Sequence, residues 1–122
     1  MAEAVAKIAW ALLALAHAPP ALAFFRPSLI ERLYGTSPDG ELGLLLTHRA
    51  ALFLAVAAAA VYALLVPDAR RLASIMLAIS MISFLYLYWR AGMPAGSLRT
   101  NALVDLAAIP PLLVAAWLAW RP

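Results

Sequence analysis

Residues 42–66 read LGLLLTHRAALFLAVAAAAVYALLV. This stretch decides the fold class. A helix needs roughly 20 apolar residues to cross the hydrocarbon core of a bilayer, and this run exceeds that length with only His48 and Arg49 interrupting it. Its apolar residues are continuous. A membrane barrel strand would alternate apolar with polar, so a helix is expected. Backbone groups left unpaired in lipid are too costly for any other spanning element.

Working outward, three further stretches meet the same criterion, from about Ala4 to Phe25, Leu72 to Trp89 and Leu98 to Trp120. The expected architecture is all-α, a four-transmembrane-helix bundle forming one domain over residues 1–122, with the bilayer as its first partner. Composition agrees. Only 12% of the 122 residues are charged, against about 25% in a soluble domain, and mean hydropathy is +0.91. The chain has no cysteine, which excludes disulfides, thiolate metal sites and iron–sulfur ligation. The net charge of +3 comes from residues scattered at segment ends. It reads as membrane-flanking anchorage, with no nucleic-acid partner.

Punctuation between the spans sets their limits. Ser28-Leu29-Ile30-Glu31 matches a capping box and Gly35 a helix stop, which predicts a short interfacial helix between the first two spans. Ser37 is expected to cap the second span with Pro38 in its first position, and Asp39 and Glu41 in the first turn. Asp68 is expected to cap the third span and Ser97 the fourth, while Gly92 and Pro94 close the third. Lys7, the apolar run after it and Ala21-Leu22-Ala23 resemble a signal peptide with a cleavage site. We expect the segment to be retained as a span.

With both termini on side A, the basic residues divide evenly. Lys7, Arg70, Arg71 and Arg121 fall on side A, and Arg26, Arg32, Arg90 and Arg99 on side B, with Arg49 deeper. The positive-inside rule therefore discriminates little. The Arg70-Arg71 loop is short and favours a cytoplasmic side A, expected in a bacterial inner membrane. Balanced charge also permits an antiparallel homodimer. Trp10, Tyr62, Trp117 and Trp120 on side A, and Phe24, Phe25, Tyr86, Tyr88 and Trp89 on side B, are expected to form aromatic belts.

Ionisable residues inside a span are candidate functional groups by default. His17, His48, Arg49 and Asp105 all fall roughly 10 Å below the side-B boundary at 1.5 Å rise per residue, with Tyr86 and Ser83 near the same level. Asn101 shares a face with Asp105. The expected core of this layer is an Arg49–Asp105 ion pair completed by Asn101, whose single Leu variants are strongly destabilised and whose charge swap partly rescues. Ala51, Ala55, Ala59 and Ala63 form a small-residue stripe, so His48 is expected to face a neighbouring helix. His17 and His48 offer the two axial ligands of a b-type haem. Packing histidines are the preferred reading, and no cofactor or metal is predicted. Pro19-Pro20 and Pro110-Pro111 are expected to bend the first and fourth spans.

Leu33-Tyr34-Gly35, Gly40-Glu41-Leu42-Gly43, Thr47-His48-Arg49, Arg90-Ala91-Gly92-Met93-Pro94 and Val104-Asp105 together resemble the small four-helix bacterial membrane proteins of the DoxX-like group. The resemblance covers most of the chain and implies a four-helix bundle. Some members are linked to quinone-dependent oxidation, but no catalytic residue of that chemistry maps onto this sequence. Phosphate loops, metal-binding His/Glu spacings and nucleophile elbows are absent as well. The leading expectation is a non-catalytic subunit that associates with itself or with a larger membrane complex. The alternatives are binding or transport of a small lipophilic (quinone-like) or anionic ligand at the polar layer, and a membrane-bound oxidoreductase component.

Overall fold

The computed structural model describes residues 1–122 and contains helices with no strand. Helix α1 spans Ala2–Leu22, α2 Ser28–Tyr34, α3 Gly40–Leu65, α4 Arg70–Arg90 and α5 Ser97–Trp120, with one 3-10 turn at Pro67–Ala69 before α4. The four long helices are each long and apolar enough to cross a membrane, and the protein is an integral membrane protein. In the bundle α1 lies between α3 and α5, and α4 between α5 and α3. The α3–α4 side is the most open of the four interfaces.

Helical periodicity places the core. On α1 the buried residues Ala6, Ala9, Trp10, Leu13 and His17 recur every three or four positions and make one stripe. Trp10, Leu13, Leu77 and Met81 are fully buried and pack with Leu112 among Ala9, Ala60, Ala63, Ala73, Ala108 and Ala115. Small residues bring the helix backbones close, and the few large ones fill the space that remains. This cluster lies towards side A. A smaller one near side B joins Ala23, Ile30 and Ala50, so α2 is held against the bundle through Ile30.

Side A also carries a closed polar network. Arg70 donates through both terminal nitrogens to the Glu3 carboxylate at 2.8 Å, and through Nε to the Ala63 carbonyl at 2.9 Å. That carbonyl needs an outside donor because residue 67, four positions on, is a proline. Arg71 donates to the Ala119 carbonyl and lies 5.4 Å over the Trp120 ring, while Trp120 donates to Ser74 Oγ. Arg70 is thus a buried clamp between three helices, which its sequence position as a flanking charge does not reveal.

Several local expectations are corrected. Helix α2 begins after Pro27 with no side-chain cap, so the Ser28/Glu31 capping box does not form. Ser37 Oγ accepts from the Asp39 amide at 3.2 Å, and α3 starts at Gly40, two residues later than expected, with Asp39 at its N-cap. Asp68 lies in the 3-10 turn without capping α4, and Ser97 is the first residue of α5, after Gly96. The end of α4 holds as expected. With Gly92 at φ 91°, the Gly92 amide donates to the Trp89 carbonyl and the Met93 amide to the Tyr88 carbonyl, the paired bonds of a Schellman motif. Trp10 belongs to the core and not to an aromatic belt. Tyr62, Trp117 and Trp120 near side A, and Phe24, Phe25, Tyr86 and Trp89 near side B, remain exposed to the surroundings. The alanine stripe does not bury as one face. Ala55 is exposed, Ala51 and Ala59 are half-buried and Ala63 is buried. A spacing of four overshoots the 3.6-residue turn by about 40° per step, so the stripe winds around the helix.

Candidate functional site

Between the two apolar clusters the helices border a partly open cavity of about 220 Å³. Helix α1 contributes Ala16, His17, Pro19 and Pro20 to its wall, α3 contributes Arg49 and Phe53, and α5 contributes Thr100, Asn101, Val104 and Asp105. Leu33 and Tyr34 close it from α2, and Phe84 from α4. Local sequence explains the placement. Arg49 and Phe53 are four residues apart on one face of α3, as Asn101 and Asp105 are on α5. Pro19 and Pro20 cannot donate to the carbonyls of Leu15 and Ala16, which puts an additional acceptor near the cavity wall at Ala16. Both proline pairs lie inside uninterrupted helices. Only the first pair reaches the cavity, since Pro111 faces a shallow outer cleft between α1 and α5.

His17 is 1% exposed, and its Nδ1 lies 2.8 Å from the Leu13 carbonyl. A carbonyl can only accept, so Nδ1 carries a proton. In a neutral imidazole Nε2 is then an acceptor. Nε2 is buried and has no partner in the chain. The Phe53 ring lies 6.0 Å from the His17 ring.

Arg49 does not pair with Asp105. The ion pair in the structure is Arg70–Glu3, and Arg49 and Asp105 instead stand on different walls of one cavity. The guanidinium carbon of Arg49 lies 5.0 Å from the Phe53 ring centre, 5.3 Å from Phe84 and 5.8 Å from Tyr34. Arg49 Nε is buried without a hydrogen-bond partner. Aromatic faces stabilise a cation by about 0.5–2 kcal/mol each, so the three rings hold this charge without consuming its donors. Cation–ring contacts with Phe53, Phe84 and Tyr34 hold the guanidinium in place of the expected ion pair.

Three further expectations change. Asn101 does not complete an ion pair. Its side-chain nitrogen donates to the Leu33 carbonyl at 3.1 Å and ties α5 to α2. His48 is exposed on the outer surface of α3 and does not face a neighbouring helix, because it precedes Arg49 by about 100° of helical rotation. The two histidines therefore do not address a common space. Tyr86 is 51% exposed and borders an outer cleft of α4, not the cavity. The sequence-predicted layer thus separates into His17, Arg49, Asn101 and Asp105 at the cavity, with His48 and Tyr86 outside it. Sequence reasoning missed Tyr34, Phe53 and Phe84. Phe53 was accessible from its i+4 spacing to Arg49, whereas Tyr34 and Phe84 depend on how α2 and α4 dock.

Chemically, the cavity presents a donor-rich cation, a carboxylate and an imidazole acceptor within an aromatic wall. No group of three or more His, Asp or Glu side chains converges to ligate a metal. Comparison with known protein families, curated proteins and solved structures gives no match.

Proposed function

We propose that this protein binds a small polar-headed ligand inside the membrane, in the cavity bordered by His17, Arg49 and Asp105. The carrying observation is that, of the three buried polar side-chain atoms without a partner, His17 Nε2, Arg49 Nε and Trp10 Nε1, the first two belong to the same cavity. Buried polar groups are normally satisfied, and leaving one unmade costs about 1–3 kcal/mol. A ligand acceptor would satisfy Arg49 Nε directly, while a bridging water or a ligand hydroxyl would supply the donor that His17 Nε2 needs. The candidate class is a lipophilic, quinone-like molecule or a small anion taken from the bilayer. The proposed role is binding, in keeping with the non-catalytic role expected from the sequence.

Membership of the DoxX-like group and a bacterial inner-membrane location with side A in the cytoplasm belong to the same reading and rest on the sequence features above. The accessory-subunit reading gains no specific surface, because large exposed apolar side chains are spread over all four spans, as lipid contact alone requires.

The test is binding by the purified protein in phosphatidylcholine nanodiscs, titrated with a short-chain quinone and with benzoate. Arg49→Gln and His17→Phe are each expected to weaken binding at least tenfold, while His48→Ala leaves it unchanged. Equal affinity in wild type and both cavity variants, or no saturable binding of either probe, overturns the proposal.

A further inference from the structure

The polar cavity sets two conditions on an anionic ligand. The first is charge balance. Arg49 and Asp105 stand on its walls with opposite formal charges, so the walls together carry no net charge. An anion arriving alone would leave an unbalanced negative charge at membrane depth, which is strongly disfavoured. One proton arriving with it restores the balance. The second condition is hydrogen bonding. Arg49 Nε is a buried donor without a partner, and His17 Nε2 is a buried acceptor without one, since Nδ1 gives its proton to the Leu13 carbonyl. Both groups neighbour the Phe53 ring, with Arg49 Cζ 5.0 Å from its centre and the His17 ring centre at 6.0 Å. A carboxylate brings acceptors only, which suits Arg49 but sets a lone pair against Nε2. A carboxyl group that keeps its proton brings one acceptor and one donor.

We infer that the site takes a small monocarboxylic acid as its anion plus one proton, with the proton held between the ligand carboxyl and His17 Nε2. This inference rests on the ligand-binding reading and narrows it to the anionic class. One ligand oxygen accepts from Arg49 Nε, directly or through a water, and the other shares the proton with Nε2. The Nδ1 proton stays on the Leu13 carbonyl. No other bond is made or broken. A quinone carbonyl accepts but does not donate, so it meets Nε2 only through a bridging water. Charged and titratable groups reach the cavity around His17 from three elements, Arg49 from α3, Asp105 from α5 and Tyr34 from α2, while α4 supplies Phe84 alone. At about 220 Å³ the cavity lies below the range of roughly 300–1,000 Å³ typical of drug-sized ligands. Its apolar walls, Ala16, Val104, Phe53 and Phe84, therefore suit an acid with one ring or a short chain.

The experiment titrates benzoate into the full chain in phosphatidylcholine nanodiscs, in weakly buffered solution, with empty nanodiscs as the blank. One proton is expected to leave solution for each benzoate bound. The dissociation constant should rise about tenfold per pH unit between about pH 7 and pH 9, where free benzoate is an anion and a free imidazole is neutral. In Asp105→Asn, Arg49 alone balances the anion and a water can serve Nε2, so the rise should drop below about threefold per unit. The wild-type proton count decides the matter by itself should Asp105→Asn fail to fold. With ¹⁵N-labelled histidine in a His48→Ala background, the only ring observed is His17. Benzoate should move its Nε2 resonance saturably towards that of a protonated ring nitrogen. Saturable benzoate binding without proton uptake, an unchanged pH slope in Asp105→Asn, or an unmoved Nε2 overturns the inference and leaves the ligand-binding reading standing. Saturable binding of a short-chain quinone but not of benzoate has the same meaning. If neither probe binds saturably, both fall.

Discussion

The two ends of the bundle use similar residues to opposite effect. Near side A, Arg70 has its donors taken by Glu3 and the Ala63 carbonyl, and the space around it is filled by Trp10, Leu13, Leu77 and their alanine partners. Towards side B, Arg49 has aromatic faces around it but no acceptor at Nε, and the adjoining space is a cavity. An arginine that is hydrogen-bonded and packed is part of the architecture. An arginine that is held by rings with free donors is what the proposed ligand site relies on. The fate of the donors separates these cases.

This contrast can be broken most forcefully at the packed end. Leu77→Ala is expected to cost about 2–5 kcal/mol, the range for a large buried side chain cut to a methyl with incomplete collapse around it. Reversible unfolding in mixed detergent micelles measures it. A loss below about 1 kcal/mol would mean that the side-A end is as loosely packed as the other.

A smaller effect is expected at the clamp. Arg70→Met keeps much of the side-chain volume but orphans the Ala63 carbonyl, a loss of about 1–3 kcal/mol. Glu3→Gln should do less, because Glu3 is half exposed and water can replace its partner. Unfolding titrations of both variants at one pH give the ranking, and a reversed order would remove the clamp from the comparison.

The smallest effects are expected at the cavity. Arg49→Leu loses three cation–ring contacts but also removes a desolvated charge, two terms of opposite sign. A net change within about 1 kcal/mol should result, with a similar value for Asp105→Leu. The double variant should be additive to within about 0.5 kcal/mol, as for groups without direct contact. A charge swap should then give no rescue. Coupling above about 2 kcal/mol would restore the direct ion pair that the sequence suggests and would undo the distinction between the two ends.

The legible part of the site was its ingredients. Arg49 and Asp105 could be singled out because a charge in a span is rare, and His17 because a histidine there is nearly as rare. Their relationship could not be read. Depth along a helix follows from counting residues, but the angular direction of each side chain depends on how that helix is rotated against its neighbours. His48 illustrates the point. It shares the depth of Arg49, yet one residue of helical rotation carries it to the lipid-facing surface. The alanine stripe failed for a related reason, since a spacing of four winds steadily off any one face.

By itself the sequence determined the number of spans, their limits to within a few residues, the short helix between the first two and the level at which polar groups enter the bilayer. These follow from run length, hydropathy and the local chemistry of glycine and proline. Only the tertiary structure decided that Arg70 is a buried clamp, that Arg49 lies among Tyr34, Phe53 and Phe84 and not on Asp105, and that a polar cavity forms beside it. Those outcomes depend on which side chains from different helices compete for the same volume, and that competition is settled only when the helices pack.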